Sequence, residues 1–187
     1  MLWPSADVTA IEPSEDMAAI LRRRNIPVIE RMLENVPEDE ARFDLLTAFE
    51  LFEHLHDPTA FLTRVRELLR PGGTFYLTKL NGLGFDIQVL WEKSKSVSPP
   101  HHLNFANPAS MAQLLERTGF DVIEVETPGE LDWDIVEGAW RMEGTDPGRL
   151  FRSISAHASD DAKRDLQEWI RANGFSSHMR ATARRRD

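Results

Sequence analysis

The feature that most constrains the fold is a strand that hands a carboxylate to a turn. Residues 8–12, Val-Thr-Ala-Ile-Glu, have high β-propensity and end on Glu12. Pro13 and Ser14 follow, and Ser14 with Glu15 and Asp16 has the composition of a helix start. A carboxylate at a strand-to-helix turn is one half of a nucleotide-binding signature, because it accepts hydrogen bonds from ribose hydroxyls. The other half, a strand, a glycine-rich turn and a helix, belongs about 20 residues earlier. Only Met-Leu-Trp-Pro-Ser-Ala stands before Asp7. The expectation is a nucleotide-binding fold whose first strand and helix are absent.

Downstream, strands and helices alternate. Arg22–Arg24 suit the last turn of the first helix, and Asn25 ends it. Pro27-Val28-Ile29 is a short strand candidate, and 33–42 reads as an acidic loop. The run Phe43–Phe49 is nearly all apolar, which predicts a strand buried on both faces in a parallel sheet. Asp57-Pro58 is a cap followed by proline at the first helical position, and Phe61, Leu62, Val65, Leu68 and Leu69 follow at helical spacing. Pro71-Gly72-Gly73 turns that helix into the strand 74–78. Residues 81–107 read as an irregular stretch with a short helix near 88–93. Asn107-Pro108 repeats the helix start and Gly119 ends that helix; the strand 121–126 follows. Residues 128–158 read as an insertion, a helix covers about 160–172, and 177–183 is the last strand. The alternation predicts an α/β fold with a mostly parallel sheet, in one domain over 1–187.

Composition narrows the function. The net charge of -9 argues against nucleic-acid binding, which favours a basic surface. Arg184-Arg185-Arg186 reads as a solvated tail. No apolar run approaches the roughly 18 residues of a membrane span. With no cysteine, thiolate metal sites and a cysteine nucleophile are excluded, and a cytoplasmic location is expected.

The ordered motifs carry a resemblance. They are Glu12-Pro-Ser, Glu34-Asn-Val-Pro37, the segment Phe43-Asp-Leu-Leu-Thr-Ala-Phe-Glu-Leu-Phe-Glu-His54-Leu-His-Asp-Pro58, Leu68-Leu-Arg-Pro-Gly-Gly-Thr-Phe75, His101-His-Leu-Asn-Phe-Ala-Asn-Pro108 and Leu114-Leu-Glu-Arg-Thr-Gly-Phe120. This series resembles the class I S-adenosylmethionine-dependent methyltransferases, a Rossmann-like group, over about residues 7–127. The resemblance implies a Rossmann-like sheet with an antiparallel last strand, S-adenosylmethionine as cofactor and a small-molecule substrate. It implies that Glu12 accepts from the cofactor ribose, flanked by Ser14 and Met17. Met32 and Leu33 would bracket the adenine; Ala48, Phe49 and Glu50 would line the methionine portion. The family's glycine-rich motif is missing, since Asn81-Gly82-Leu83-Gly84 follows the wrong strand.

Several candidates carry alternatives. Glu12 reads as a ligand or as a solvated turn residue. Glu53-His54-Leu-His56 lacks a third metal ligand, so no metal is expected, while His54 faces the site by family position. His101 and His102 are candidates for a general base, or for loop histidines bonding the backbone. Trp133, Trp140, Phe151 and Trp169 form either a substrate cap or core. The expected function is methyl transfer to a small-molecule O, N or C nucleophile. The alternative is a non-catalytic or partner-dependent remnant with impaired cofactor binding, self-associating as a homo-oligomer through an exposed sheet edge.

Overall fold

A computed structural model describes residues 6–37 and 43–187. Residues 38–42 of the expected acidic loop lie outside the described residues. Two sheets form. A small one pairs β1 (Ala10–Ile11) with β2 (Val28–Ile29) in parallel, with α1 (Glu15–Arg23) between them in sequence. The larger one has the order β3 (Phe43–Phe49), β4 (Leu69–Leu80), β6 (His178–Arg185), β5 (Phe120–Glu126). β3 and β4 are parallel, and β6 is antiparallel to both neighbours. β3, β4 and β5 therefore run one way and the last strand runs against them, the expected mostly parallel α/β arrangement.

The helices start where their caps are. Ser14 accepts from the Met17 amide, and Asp57 Oδ1 accepts from the Ala60 amide at 2.9 Å. Asn107 and Ser110 form a reciprocal capping box at α4 (Pro108–Arg117). Phe61, Leu62 and Val65 of α2 (Pro58–Leu68) meet Met111 and Leu115 of α4 over the sheet residues Phe75, Leu77, Phe120 and Met179. Each such side chain contributes about 2 kcal/mol on burial. A second cluster joins Leu90 of α3 (Phe85–Leu90) to Trp133 and Val136 of α5 (Asp132–Glu143) and Phe151 of α6 (Gly148–His157). Trp133 stacks on Phe151 at 4.0 Å, so these two are core. Trp140 packs against that cluster; Trp169, on α7 (Asp160–Ala172), is exposed and stacks on Phe175.

One expectation fails. β3 is not buried on both faces: Leu45 is 55% and Phe49 63% exposed. The reason is topological, because β3 lies at the edge of its sheet and pairs only with β4 among the described residues. Its apolar residues lack the neighbour that a continuous apolar run implies. Among the described residues no hydrogen-bonded ladder joins β3 to β1 or β2.

Candidate active site

The carboxyl ends of β3 and β4 open onto one cavity of about 240 Å³. Ligands in open α/β sheets bind at this end. Glu50, Glu53, His54, Leu80, His102 and His178 contribute to its lining. The elements that bring them together are tied by side chains buried at the end of β4.

β3 ends at Phe49, and Glu50 turns sharply with φ of 47°. A non-glycine residue there is uncommon and costs about 1–3 kcal/mol, a strain that persists only where neighbours hold it. Two contacts fix Glu50: its amide donates to the Thr78 carbonyl at 2.9 Å, and its Oε1 accepts from the Thr78 hydroxyl at 2.8 Å. Its other oxygen lies 3.5 Å from His178 Nε2. A single 3-10 turn, Phe52–His54, then presents Glu53 and His54. The 101–106 loop docks on this turn. Leu103 and Asn104 amides donate to the Glu53 carbonyl at 2.7 and 3.2 Å, and the Asn104 side chain donates to the Phe52 and Leu55 carbonyls. Gly82 receives the same loop: its amide donates to the Ala106 carbonyl, and a Cβ there would sit 2.1 Å from the Phe105 carbonyl oxygen. Only glycine permits that approach.

The imidazoles are held in one tautomer. His102 Nδ1 lies 2.7 Å from the Ser96 carbonyl, and His54 Nδ1 lies 2.8 Å from the His101 carbonyl. A carbonyl only accepts, so each Nδ1 carries the proton and each Nε2 keeps a lone pair in the neutral ring. The two rings pack edge to face at 4.9 Å.

Lys79 is the least expected member. It continues the inward side of β4 after Phe75 and Leu77 and is fully buried. Its ammonium donates to the carbonyls of Leu80, Asn104 and Ala106 and lies 5.7 Å from the centre of the Phe52 ring. Burial pushes its pKa down to about 8, against the opposing pull of Glu53 and then Glu50. The unfolded chain binds this proton up to its ordinary pKa of 10.5, so the protonated form costs the fold about 3 kcal/mol below pH 8. That cost fades as pH rises from about 8 to 10.5. The stability difference between Lys79→Met and the parent protein is expected to shift by roughly 2 kcal/mol in the parent's favour between about pH 7 and pH 10. Urea unfolding of both proteins across that range checks it; a constant difference would refute the assignment.

The sequence candidates are distributed unevenly. Glu50, His54 and His102 meet at the cavity. His101 does not line it, and offers its carbonyl to His54 instead. Glu12, Ser14, Met17 and Met32 lie on or beside the small sheet, whereas Leu33 packs against the core of the larger one. Glu12 Oε1 accepts from the Ser14 amide at 2.8 Å, and Ser14 caps α1. Met17, Met32 and Phe49 expose large apolar side chains, whereas Ala48 is buried. Among the described residues no group of three or more His, Cys, Asp or Glu is placed to hold a metal ion. None of the described helices is long and apolar enough to cross a membrane. The sequence motifs assign no role to Lys79, Asn104 or Asn81, and the one role they offer Glu53 is in a weak metal pattern.

A family model described as a methyltransferase domain matches residues 2–125, and the chain belongs to that family. A ubiquinone biosynthesis O-methyltransferase from Xanthomonas euvesicatoria is 27% identical over 133 residues, covering 64% of this chain and 56% of that protein. A protein from Mycolicibacterium smegmatis described as a probable S-adenosylmethionine-dependent methyltransferase is 28% identical over 117 residues, covering 62% of this chain and 44% of that one. The chain thus spans about half the length of the curated relatives it matches. Among solved structures, phosphoethanolamine N-methyltransferase 2 of Haemonchus contortus, in complex with S-adenosylhomocysteine, superposes with a TM-score of 0.63 at 18% identity, covering 97% of this chain and 44% of that one. The likeness shows a shared Rossmann-like methyltransferase fold. The family implies S-adenosylmethionine as methyl donor.

The residues present are of the kinds a nucleoside calls for: Glu12, a carboxylate, stands at the carboxyl end of β1, and Met17 and Met32 expose apolar side chains.

Proposed function

We propose that this chain transfers a methyl group from S-adenosylmethionine to a small-molecule O, N or C nucleophile seated in the cavity at His54 and His102. The observation that carries the reading is the pair of imidazoles whose Nδ1 protons are committed to carbonyls. Their Nε2 lone pairs are left to act on the acceptor. Glu12 would hold the ribose, Met32 and Leu33 the adenine, and Ala48, Phe49 and Glu50 the methionine end. Bound there, the donor supplies an electrophilic sulfonium methyl. The chain's own part is to align the acceptor, to exclude water from it, and to take its proton at His102 Nε2. The 101–106 loop keeps that imidazole in register with the end of β4.

The second reading is a methyltransferase-like scaffold that binds the cofactor weakly or only with a partner. The separation of β1 and β2 from the larger sheet favours it, because the cofactor candidates are divided between two sheets. Calorimetric titration with S-adenosylhomocysteine separates the two. Low-micromolar binding excludes the scaffold reading, and undetectable binding supports it. Where binding is measured, Glu12→Ala is expected to weaken it about tenfold, the loss of roughly one charge-assisted hydrogen bond. Unchanged affinity removes Glu12 from the site.

A further inference from the structure

The cavity's polar groups are unbalanced. Most of its donors are already committed. Both Nδ1 atoms face carbonyls, the Ser96 hydroxyl donates to Asp86 at 2.7 Å, and the exposed Lys95 at the rim gives one N–H to Glu143 at 2.5 Å. Lys79, behind the wall, spends its ammonium on three main-chain carbonyls. The acceptors are not committed. Glu53 is 2% exposed, and its Oε2 is buried without a hydrogen-bond partner. Glu50 presents Oε2 to His178 only at 3.5 Å, and the Nε2 atoms of His54 and His102 keep lone pairs.

A buried carboxylate oxygen with no donor costs about 1–3 kcal/mol or more until something satisfies it. Whatever satisfies it must bring N–H or O–H groups. An anionic ligand would add a third negative charge beside Glu50 and Glu53, with only buried Lys79 and the exposed, Glu143-paired Lys95 to compensate. A phenol would have to ionise in the same field. An ammonium group suits both conditions: it carries several donors on one atom, and its charge is opposite to that of the two carboxylates.

We propose that this cavity binds a primary amine as its ammonium, its three N–H groups donated to Glu53, Glu50 and the Nε2 atom of His102. The inference narrows the acceptor of the methyl-transfer reading to amines, and it rests on that reading only for the chemical step after binding. It makes Glu53 the residue that selects for charge.

Benzylamine, benzyl alcohol and benzoate share one ring and differ in the head group, so calorimetric titration of the three near neutral pH tests the proposal. Benzylamine is expected to bind about tenfold or more tighter than benzyl alcohol, as a desolvated ion pair requires. Benzoate is expected not to bind. Glu53→Gln should remove most of the preference for benzylamine and leave benzyl alcohol unchanged. Glu50→Gln, at a more exposed position, should reduce the same preference and serves if the Glu53 variant does not fold. Equal binding of benzylamine and benzyl alcohol overturns the proposal, as does a full preference retained in Glu50→Gln and Glu53→Gln. Tighter binding of catechol than of benzylamine also overturns it, and would assign the cavity to polyhydroxy aromatics. None of these titrations needs S-adenosylmethionine. Failure of cofactor binding therefore leaves the amine result standing, and failure of amine binding leaves methyl transfer to another acceptor intact.

Discussion

Replacing Asn81 by leucine is expected to lower the unfolding free energy by about 3 kcal/mol, the cost of one buried and two part-buried backbone groups losing their partner. Asn81 is fully buried directly after β4. Its side-chain amide donates to the Gly174 and Ser176 carbonyls at 2.9 and 2.8 Å, and its Oδ1 accepts from the Leu83 amide at 3.0 Å. Leucine has the same branched arrangement of four side-chain heavy atoms and is bulkier, so the loss comes from hydrogen bonds and crowding rather than from a cavity. For a domain of this size the melting temperature should fall by roughly 10 °C. Asn81→Asp sharpens the test. It keeps an acceptor for Leu83 but turns a carboxylate oxygen toward two carbonyls, so it should be at least as damaging. Thermal unfolding of both variants decides it. A loss below about 1 kcal/mol for leucine would mean that water replaces the amide.

The consequence reaches the cavity. Asn81 joins the end of β4 to residues 174–177, the segment that leads into β6 and His178. It also closes the turn at Gly82, which receives the 101–106 loop. A lone asparagine before a glycine signals a turn and nothing more. Its two long-range bonds appear only when residues 93 and 95 positions apart come together.

The same contrast runs through the whole chain. Local chemistry was legible. Asp57-Pro58 starts α2, Asn107-Pro108 starts α4, and the apolar spacing of 160–172 coincides with α7. Neighbour relations were not. The apolar run Phe43–Phe49 reads as doubly buried because a sequence records what a residue suits, not what stands beside it. At the site, His54 and His102 are separable weak signals, each with an ordinary backbone-bonding alternative. Both make that backbone bond, and the bond itself fixes the tautomer that leaves a lone pair on Nε2. Glu53 is one of 31 acidic residues in an acidic chain, and only its burial sets it apart. Lys79 is hidden for the opposite reason. Lysine is rarely buried, so its identity suggests an outward position, although strict alternation from Phe75 and Leu77 places it inward.

His102→Ala is expected to slow methyl transfer by about 10²- to 10⁴-fold, the range for removing a positioned base. The measurement is transfer of label from S-adenosylmethionine to an amine that the cavity binds. A general base and a packing residue differ in what else changes. Removing a base should lower kcat much more than it raises KM, and should abolish the fall in rate on the acid side of the pH profile. Removing only the ring's packing against His54 should raise KM and keep the profile. His54→Ala should show a smaller loss, since His54 is fixed through the His101 carbonyl at the rim of the 101–106 loop. His101→Ala keeps that carbonyl and takes away a ring that does not line the cavity, so its rate should stay within about threefold of the parent, a change worth less than one hydrogen bond. Equal losses in His101→Ala and His102→Ala would point to the loop's conformation rather than to proton transfer. An unchanged rate in His102→Ala would leave alignment of donor and acceptor as the whole of the catalysis, which chemistry at a sulfonium methyl permits when the acceptor arrives already neutral.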